Sequence, residues 1–363
     1  MNKLIAAIII FAAAVSPAWA QSFRPRYGQN SSNKRSSTTK TQNRSLELRV
    51  LVDQTSPIGT NHKWLQALAE VGADRVVSET SRKTKPSFEE YGSGAIKTLA
   101  VVGIVKNGKL HLPGGKFSIG QTTAIRNHLQ KLRDDGAEVT IAEKVAFGLT
   151  APQLISVHDG LGKKIGSSTV GQKANSLANS ILKSSGYPIS MDRATKAALA
   201  NDESIMQAEL EGLSLGTSLA ITLRKMGLVF EPNRPQGKGI QLIVRAANEK
   251  TENWPVGWPI SEQIKQAAPK YFVRVPIRAE NTPILQVLGG IENRMDFPFI
   301  YDDARIAASD INLEATLVTY IKAKKSSYSM VVDKVLRQCK PKLKSDLRID
   351  EVGKRFLWIT TIR

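Results

Sequence analysis

Two stretches decide how this chain is built: GYPISMDRATKAA at 186–198 and DFPFIYDDARIAA at 296–308. At an offset of 110 residues they match at Tyr187/Phe297, Pro188/Pro298, Asp192/Asp302, Ala194/Ala304, Ala197/Ala307 and Ala198/Ala308. Carried upstream at the same offset, Leu177, Ala178 and Ile181 fall on Val287, Leu288 and Ile291, the apolar stripe of an amphipathic helix in each copy. Before each helix runs a strand-like stretch, KKIGSSTV or YFVRVPIRA. After each motif come a polar loop and another strand, QAELEGLSL or TLVTYIKAK. A second helix follows, GTSLAITLRKMG or YSMVVDKVLRQC, with Leu219, Leu223, Val332 and Leu336 facing inward. The copies close on LVFEP and IQLIVRA, and on KLKSDLRID and RFLWITT. The pattern predicts one β-α-β-β-α-β-β module used twice, over 151–250 and 270–363.

This order, with FIYDD at 299–303 and LGTSLAITLRKMGLVF at 215–230, resembles the short N-terminal domain of secretins and TonB-dependent receptors. In that family a strand and helix lead into an apolar strand ending in Tyr-Asp, then a strand and a Leu/Ala-rich helix. Here no outer-membrane barrel or secretin pore domain follows the two copies. The resemblance therefore implies a small periplasmic module that docks protein partners, not a channel.

The motif aspartates read as architecture. An aspartate at a strand end accepts hydrogen bonds from the turn that follows, and in both copies alanines begin a helical pattern there. Asp302 and Asp303 are neighbours, and neighbouring side chains on a strand point to opposite faces, so they do not form a catalytic carboxylate pair.

The first residues, MNKLIAAIIIFAAAVSPAWA, have the parts of a secretory signal: Lys3, an apolar core from Leu4 to Val15, and an A-x-A site ending at Ala20. The core is short for a bilayer span, no cysteine follows it for lipid attachment, and no later stretch is long and apolar enough to cross a membrane. The expectation is an exported, periplasmic or extracellular protein cleaved after Ala20; the competing reading is an uncleaved anchor helix. Cys339 is the only cysteine, so no intramolecular disulfide forms, and its apolar neighbours Val332, Val335 and Leu336 mark it as a buried structural thiol.

The net charge is +19, which draws a chain toward anionic surfaces. Residues 21–45, among them Arg24, Arg26, Lys34 and Arg35, carry six cations and no acid in a Ser/Thr/Asn/Gln background, the composition of a disordered basic arm. From Lys322 to Lys344 eight cations, including Lys324, Lys325, Lys340 and Lys342, face only Asp333. The plain alternative to binding is a solvated face that keeps the protein soluble. Between the copies, the linker 251–269 holds Trp254 and Trp258 among prolines, either packed against a neighbouring domain or offered as an aromatic platform for a glycan ring or peptide.

Residues 46–150 read as an α/β domain. LELRVLV and DRVVS are strands, NHKWLQALAEV is a helix, and Asn107-Gly108 turns a hairpin. A helix over about 119–133 and a closing strand at EVTIAEKVAFG complete the unit. GKFSIGQT at 115–122 fits a phosphate loop except at Gln121, where the lysine that balances the phosphates must stand. Ser118 and Gln121 read better as a capping box, with Gly136 ending the helix. His158-Asp159 beside Ser156 has the residue types of a hydrolase triad, but their side chains diverge from a single turn of a helix capped by Thr150. The four histidines show no metal-ligand spacing.

Taken together, these readings give an exported α+β multidomain protein with no catalytic, cofactor or metal constellation in its sequence. Its expected work is docking an envelope protein or an anionic envelope polymer, with lipid head groups a further candidate surface. The alternative is a hydrolase of envelope or extracellular polymer with its site in an inter-domain cleft. Nucleic acid is disfavoured, because charge alone suggests it and no basic-aromatic motif accompanies the charge. The sequence sets no oligomeric state.

Overall fold

The computed structural model describes residues 44–52, 57, 59–80, 85–92, 97–248, 252–321 and 325–362. The expected signal, the arm through residue 43 (with Arg24, Arg26, Lys34 and Arg35), Lys322 and Lys324 lie outside them. The architecture is α+β, with helices and mixed sheets organised around three main apolar cores.

The first core is built on a sheet whose central strands are β1 (Arg44–Val52) and β4 (Lys97–Lys106), paired in parallel. β1 therefore takes in the last two residues assigned above to the arm, Arg44 and Ser45. Helix α1 (Thr60–Leu68) returns the chain to β2 (Arg75–Thr80), on the other edge of β1. The outer edge of β4 is shared between β3 (Ser87–Tyr91) and β5 (Lys109–Leu112), and β6 (Gly115–Ser118) extends the sheet from β5. The β4–β5 hairpin turns at Asn107 and Gly108, both at positive φ, 52° and 70°. Trp64 and Leu68 of α1, with Ile125, Leu129 and Leu132 of α2 (Thr122–Asp135), close one face of this sheet.

Helix α2 starts at Thr122, later than its sequence suggests, because β6 continues through Ser118. Gln121 still reaches back, its side-chain oxygen accepting from the Ser118 N–H at 2.9 Å, and Gly136 ends the helix at φ 84°. The expected closing strand at 138–148 is corrected. Residues Ala137–Ile141 form a short helix, α3, and only β7 (Lys144–Ala146) pairs, with the two-residue β8 (Leu149–Thr150). A strand needs a partner edge, and this segment leaves the first sheet for the next core, so its alternating Ile141 and Val145 stay exposed.

The second core begins with α4 (Ala151–Leu161). Thr150 and Gln153 form its capping box, and Gly162 is its C-cap. Ser156, His158 and Asp159 therefore lie on one helix. There follow α5 (Ala174–Ser185), β9 (Ile189–Ser190), α6 (Arg193–Asn201), α7 (Leu215–Lys225), β10 (Leu228–Asn233) and β11 (Gln241–Ala246). The third core holds β12 (Trp258–Pro259), α8 (Ile264–Ala267), β13 (Arg274–Val275), β14 (Ala279–Pro283), α9 (Ile284–Glu292) and β15 (Phe299–Tyr301). It continues with α10 (Asp303–Ala307), β16 (Leu317–Tyr320), β17 (Ser326–Ser327), α11 (Tyr328–Leu336), β18 (Leu343–Ile349) and β19 (Arg355–Thr361).

The two units pair their strands in the same register. β9 lies parallel to β11 with Ile189 opposite Leu242, and β15 lies parallel to β19 with Phe299 opposite Leu357. β10 and β11 run antiparallel with Leu228 opposite Ala246, and β18 and β19 with Leu343 opposite Thr361. One hydrogen bond recurs at one length: the Leu242 N–H donates to the Pro188 carbonyl and the Leu357 N–H to the Pro298 carbonyl, both at 2.9 Å. Pro188 and Pro298, matched in sequence, thus occupy matched positions in the sheets.

The copies differ where the first was expected to form strands at KKIGSSTV and QAELEGLSL. In place of ladders like β13–β17 and β14–β16, it keeps two isolated bridges, Lys164 with Ser214 and Lys173 with Ile205. Backbone bonds still join these segments, among them the Ile165 N–H to the Leu213 carbonyl (2.8 Å) and the Met206 N–H to the Gln172 carbonyl (2.9 Å). Between them the Glu209 carboxylate accepts from the Ser168 hydroxyl (2.5 Å) and from the Thr169 and Glu211 N–H groups (3.0 and 2.9 Å). The expected linker is also partly structure, because β12 pairs with β18 at Ile349 and Arg348.

Candidate functional site

Helix α7 begins at Ser214-Leu215-Gly216-Thr217, and its first turn is capped from the other repeat. The β18–β19 hairpin tip brings in Glu351. Its Oε2 accepts from the Ser214 hydroxyl, the Thr217 N–H (3.1 Å) and the Thr217 hydroxyl (2.8 Å), while Oε1 accepts from the Trp254 indole N–H (2.6 Å). An anion here meets the orphan donors and the positive end of the helix dipole. Gly216 leaves the room, since a Cβ there would lie 2.8 Å from the Glu351 carboxyl carbon. Asp350 accepts from the Ser214 N–H (2.8 Å) and holds its own hairpin through the Val352 and Lys354 N–H groups (3.0 and 2.7 Å). Burial raises the Asp350 carboxyl above its usual range, and those three N–H groups partly offset it.

At the other end of α7, Arg224 donates to both oxygens of Asp302 at 2.8 and 3.0 Å, and the Thr360 hydroxyl adds a third bond at 2.7 Å. Beside them Lys225 pairs with Asp303 at 2.7 Å. The matched aspartates therefore do different work. Asp192 caps α6, accepting from the Thr195 N–H at 2.7 Å, which holds its carboxyl below the usual range. Asp302 was expected to serve its own following turn in the same way. Instead it is 1% exposed and shared between Thr360 of its own repeat and the guanidinium that α7 delivers from the other.

The sheet of the second repeat, in the order β12-β18-β19-β15, is covered on both faces. Leu343, Leu357 and Ile359 meet its own helices, while Ile300, Phe356 and Trp358 join the core of the first repeat. Where the second contact gapes, it leaves a cleft of about 270 Å³ between α7, the Trp254–Val256 segment, α10 and β18. Arg224, Arg305, Lys344 and Arg348 line it, with Asp302 at its floor and Trp358 in its wall. Arg348 lies over the Trp358 ring, 5.9 Å from its centroid, and donates to the Val256 carbonyl at 2.8 Å. Burial holds its guanidinium below the usual range, with Asp346 partly compensating. The cleft thus gathers four cations against Asp302 and the neighbouring Asp346, which lies 3.4 Å from Lys344 and 3.5 Å from Arg348.

Of the candidate binding residues singled out in the sequence, Lys344 and Trp254 line this cleft. Lys325, Lys340 and Lys342 are exposed, Lys340 and Lys342 on the turn into β18. The run toward Lys344 is therefore not one face: β18 alternates, with Leu343 and Leu347 entering the core while Lys344 and Arg348 line the cleft and Asp346, between them, pairs with both. Trp254 is no platform. It is 2% exposed, stacked between Phe147 and Phe230 with centroids 5.9 Å away on each side, and its N–H is committed to Glu351. Trp258 is half-buried edge-on against Trp254 at 5.3 Å, with its backbone in β12.

Gly257, between these indoles, sits at φ 66°, and a Cβ there would lie 2.5 Å from Phe356 Cζ and 3.0 Å from the Ile349 carbonyl. Gly257→Ala is expected to cost about 1–3 kcal/mol from overpacking and left-handed strain. Urea unfolding that shows no change would refute this packing.

Arg224, Asp302, Arg305, Arg348 and Glu351 were not read as site residues from sequence. The available signal was the acidic Asp350-Glu351 pair at the tip of an apolar hairpin, and it does not name its partner. Among the described residues, no group of three or more His, Cys, Asp or Glu side chains is placed to hold a metal ion. Compared with known proteins, the chain matches no family model, no curated protein and no solved structure.

Proposed function

We propose that this chain is a non-catalytic, exported cell-envelope protein that docks an anionic polymer, with its two repeats acting as one rigid body. One observation carries the reading. The buried carboxylates of the repeat junction, Asp302 and Glu351, are consumed by structure, while four cations line an open cleft. Asp302 is held on both oxygens and Glu351 accepts four hydrogen bonds, so neither is free to move a proton. A hydrolase in this cleft would need such a group.

The surplus charge supplies long-range attraction, screened over about 10 Å at 0.1 M salt. The measurement is a salt titration of binding to a polyanionic polysaccharide such as polygalacturonate, run on the mature chain and on a chain lacking residues 21–43. Affinity is expected to fall steeply with salt, and less steeply without the arm, because fewer counterions are released. Equal slopes for the two chains would leave the charge a matter of solubility alone.

A further inference from the structure

We propose that the cleft between the repeats is a phosphate site, receiving one phosphoryl group borne on a single unit of an anionic ligand. This rests on the docking reading above and names the chemistry that the junction accepts. Arg224, Arg305, Lys344 and Arg348 converge on one space, against Asp302 and Asp346, leaving an excess of two positive charges. A phosphate monoester near neutral pH carries about −1.5 to −2, so it matches that excess.

Two of the four cations are held in place before any ligand arrives. Asp302 fixes the Arg224 fork, and Trp358 with the Val256 carbonyl fixes Arg348. Such preorganisation lowers the entropy lost on binding. Side-chain exposures of 28%, 34%, 49% and 28% for Arg224, Arg305, Lys344 and Arg348 leave each partly open to an incoming group. Arginine is suited to this task, since its guanidinium has five N–H donors and the two that Arg224 gives to Asp302 leave three. The space of about 270 Å³ is just below the range of about 300–1,000 Å³ typical of small-molecule pockets, so it fits one unit and not a longer segment.

The experiment titrates the full mature chain with inorganic phosphate, glucose 1-phosphate and, as the carboxylate control, glucuronate, at fixed ionic strength. It is repeated on Arg305→Gln/Lys344→Gln, which spares the Arg224 and Arg348 contacts that hold the junction together. Phosphate and glucose 1-phosphate should bind the parent chain at least tenfold more tightly than glucuronate. The double variant should lose at least tenfold in phosphate affinity, with an unchanged unfolding midpoint in the absence of ligand. Tighter binding of glucose 1-phosphate than of inorganic phosphate would place the phosphoryl group on a sugar-sized unit; the reverse order would make free phosphate the ligand. Affinity should fall as pH drops through about 6, where the dianion is lost.

Equal phosphate affinity in the parent and the variant, or no binding by the parent, overturns the site. Loss of the salt-dependent polymer binding with phosphate binding intact would remove the docking reading and leave the site standing. Polymer binding that survives with no phosphate affinity would do the opposite.

Discussion

Glu351→Ala is expected to destabilise the folded chain by on the order of 3–5 kcal/mol. Four donors that now meet the carboxylate, from Ser214, Thr217 (twice) and Trp254, would be left at a buried junction. Each unsatisfied buried donor costs about 1–3 kcal/mol, and water entering the vacated space recovers part of the sum. The first turn of α7 also loses an anion at its positive end, worth about 0.3–1 kcal/mol. Glu351→Gln tests the charge separately from the shape. Its carbonyl can face the three donors on α7, but its NH2 must then face the Trp254 N–H, so an intermediate loss is expected. Urea unfolding gives the free energies. Tryptophan emission reports the junction, because Trp254, Trp258 and Trp358 all pack there. A loss below about 1 kcal/mol for the alanine variant would mean that the hairpin tip is not the latch described.

Arg224→Met should be comparably severe, at about 3–5 kcal/mol, because it leaves the Asp302 carboxylate buried without its guanidinium. The double replacement Arg224→Met/Asp302→Leu should recover most of that loss, since taking out both members of a buried pair is often neutral. The second repeat supplies an internal control. At the equivalent place on α11, Arg337 pairs with Asp333 on its own helix at 2.9 Å, with side chains 55% and 49% exposed. Arg337→Met is expected to cost no more than about 0.5 kcal/mol. If the two arginine variants lose equal stability, the Arg224–Asp302 contact does not hold the repeats together.

The sequence by itself determined whatever depends on neighbours within a turn or a strand. The apolar stripes of α5 and α9, the hairpin at Asn107-Gly108, the cap at Thr150 and the cap at Asp192 all rest on contacts a few residues apart. The repeat was legible for a related reason, since one fold used twice imposes its apolar spacing twice, and the matched registers at Ile189 and Phe299 follow. Strands were less legible. KKIGSSTV and EVTIAEKVAFG alternate as strands do, but alternation does not supply an edge to pair with, so the first ended in an isolated bridge and the second in a short helix and a three-residue strand. Only the tertiary structure decided the fate of Asp302, 78 residues from Arg224, and of Glu351, 134 residues from Thr217. At such separations the energy of a pair depends on burial and geometry that no local pattern encodes, so a carboxylate with the sequence context of a cap became instead the bond between two repeats.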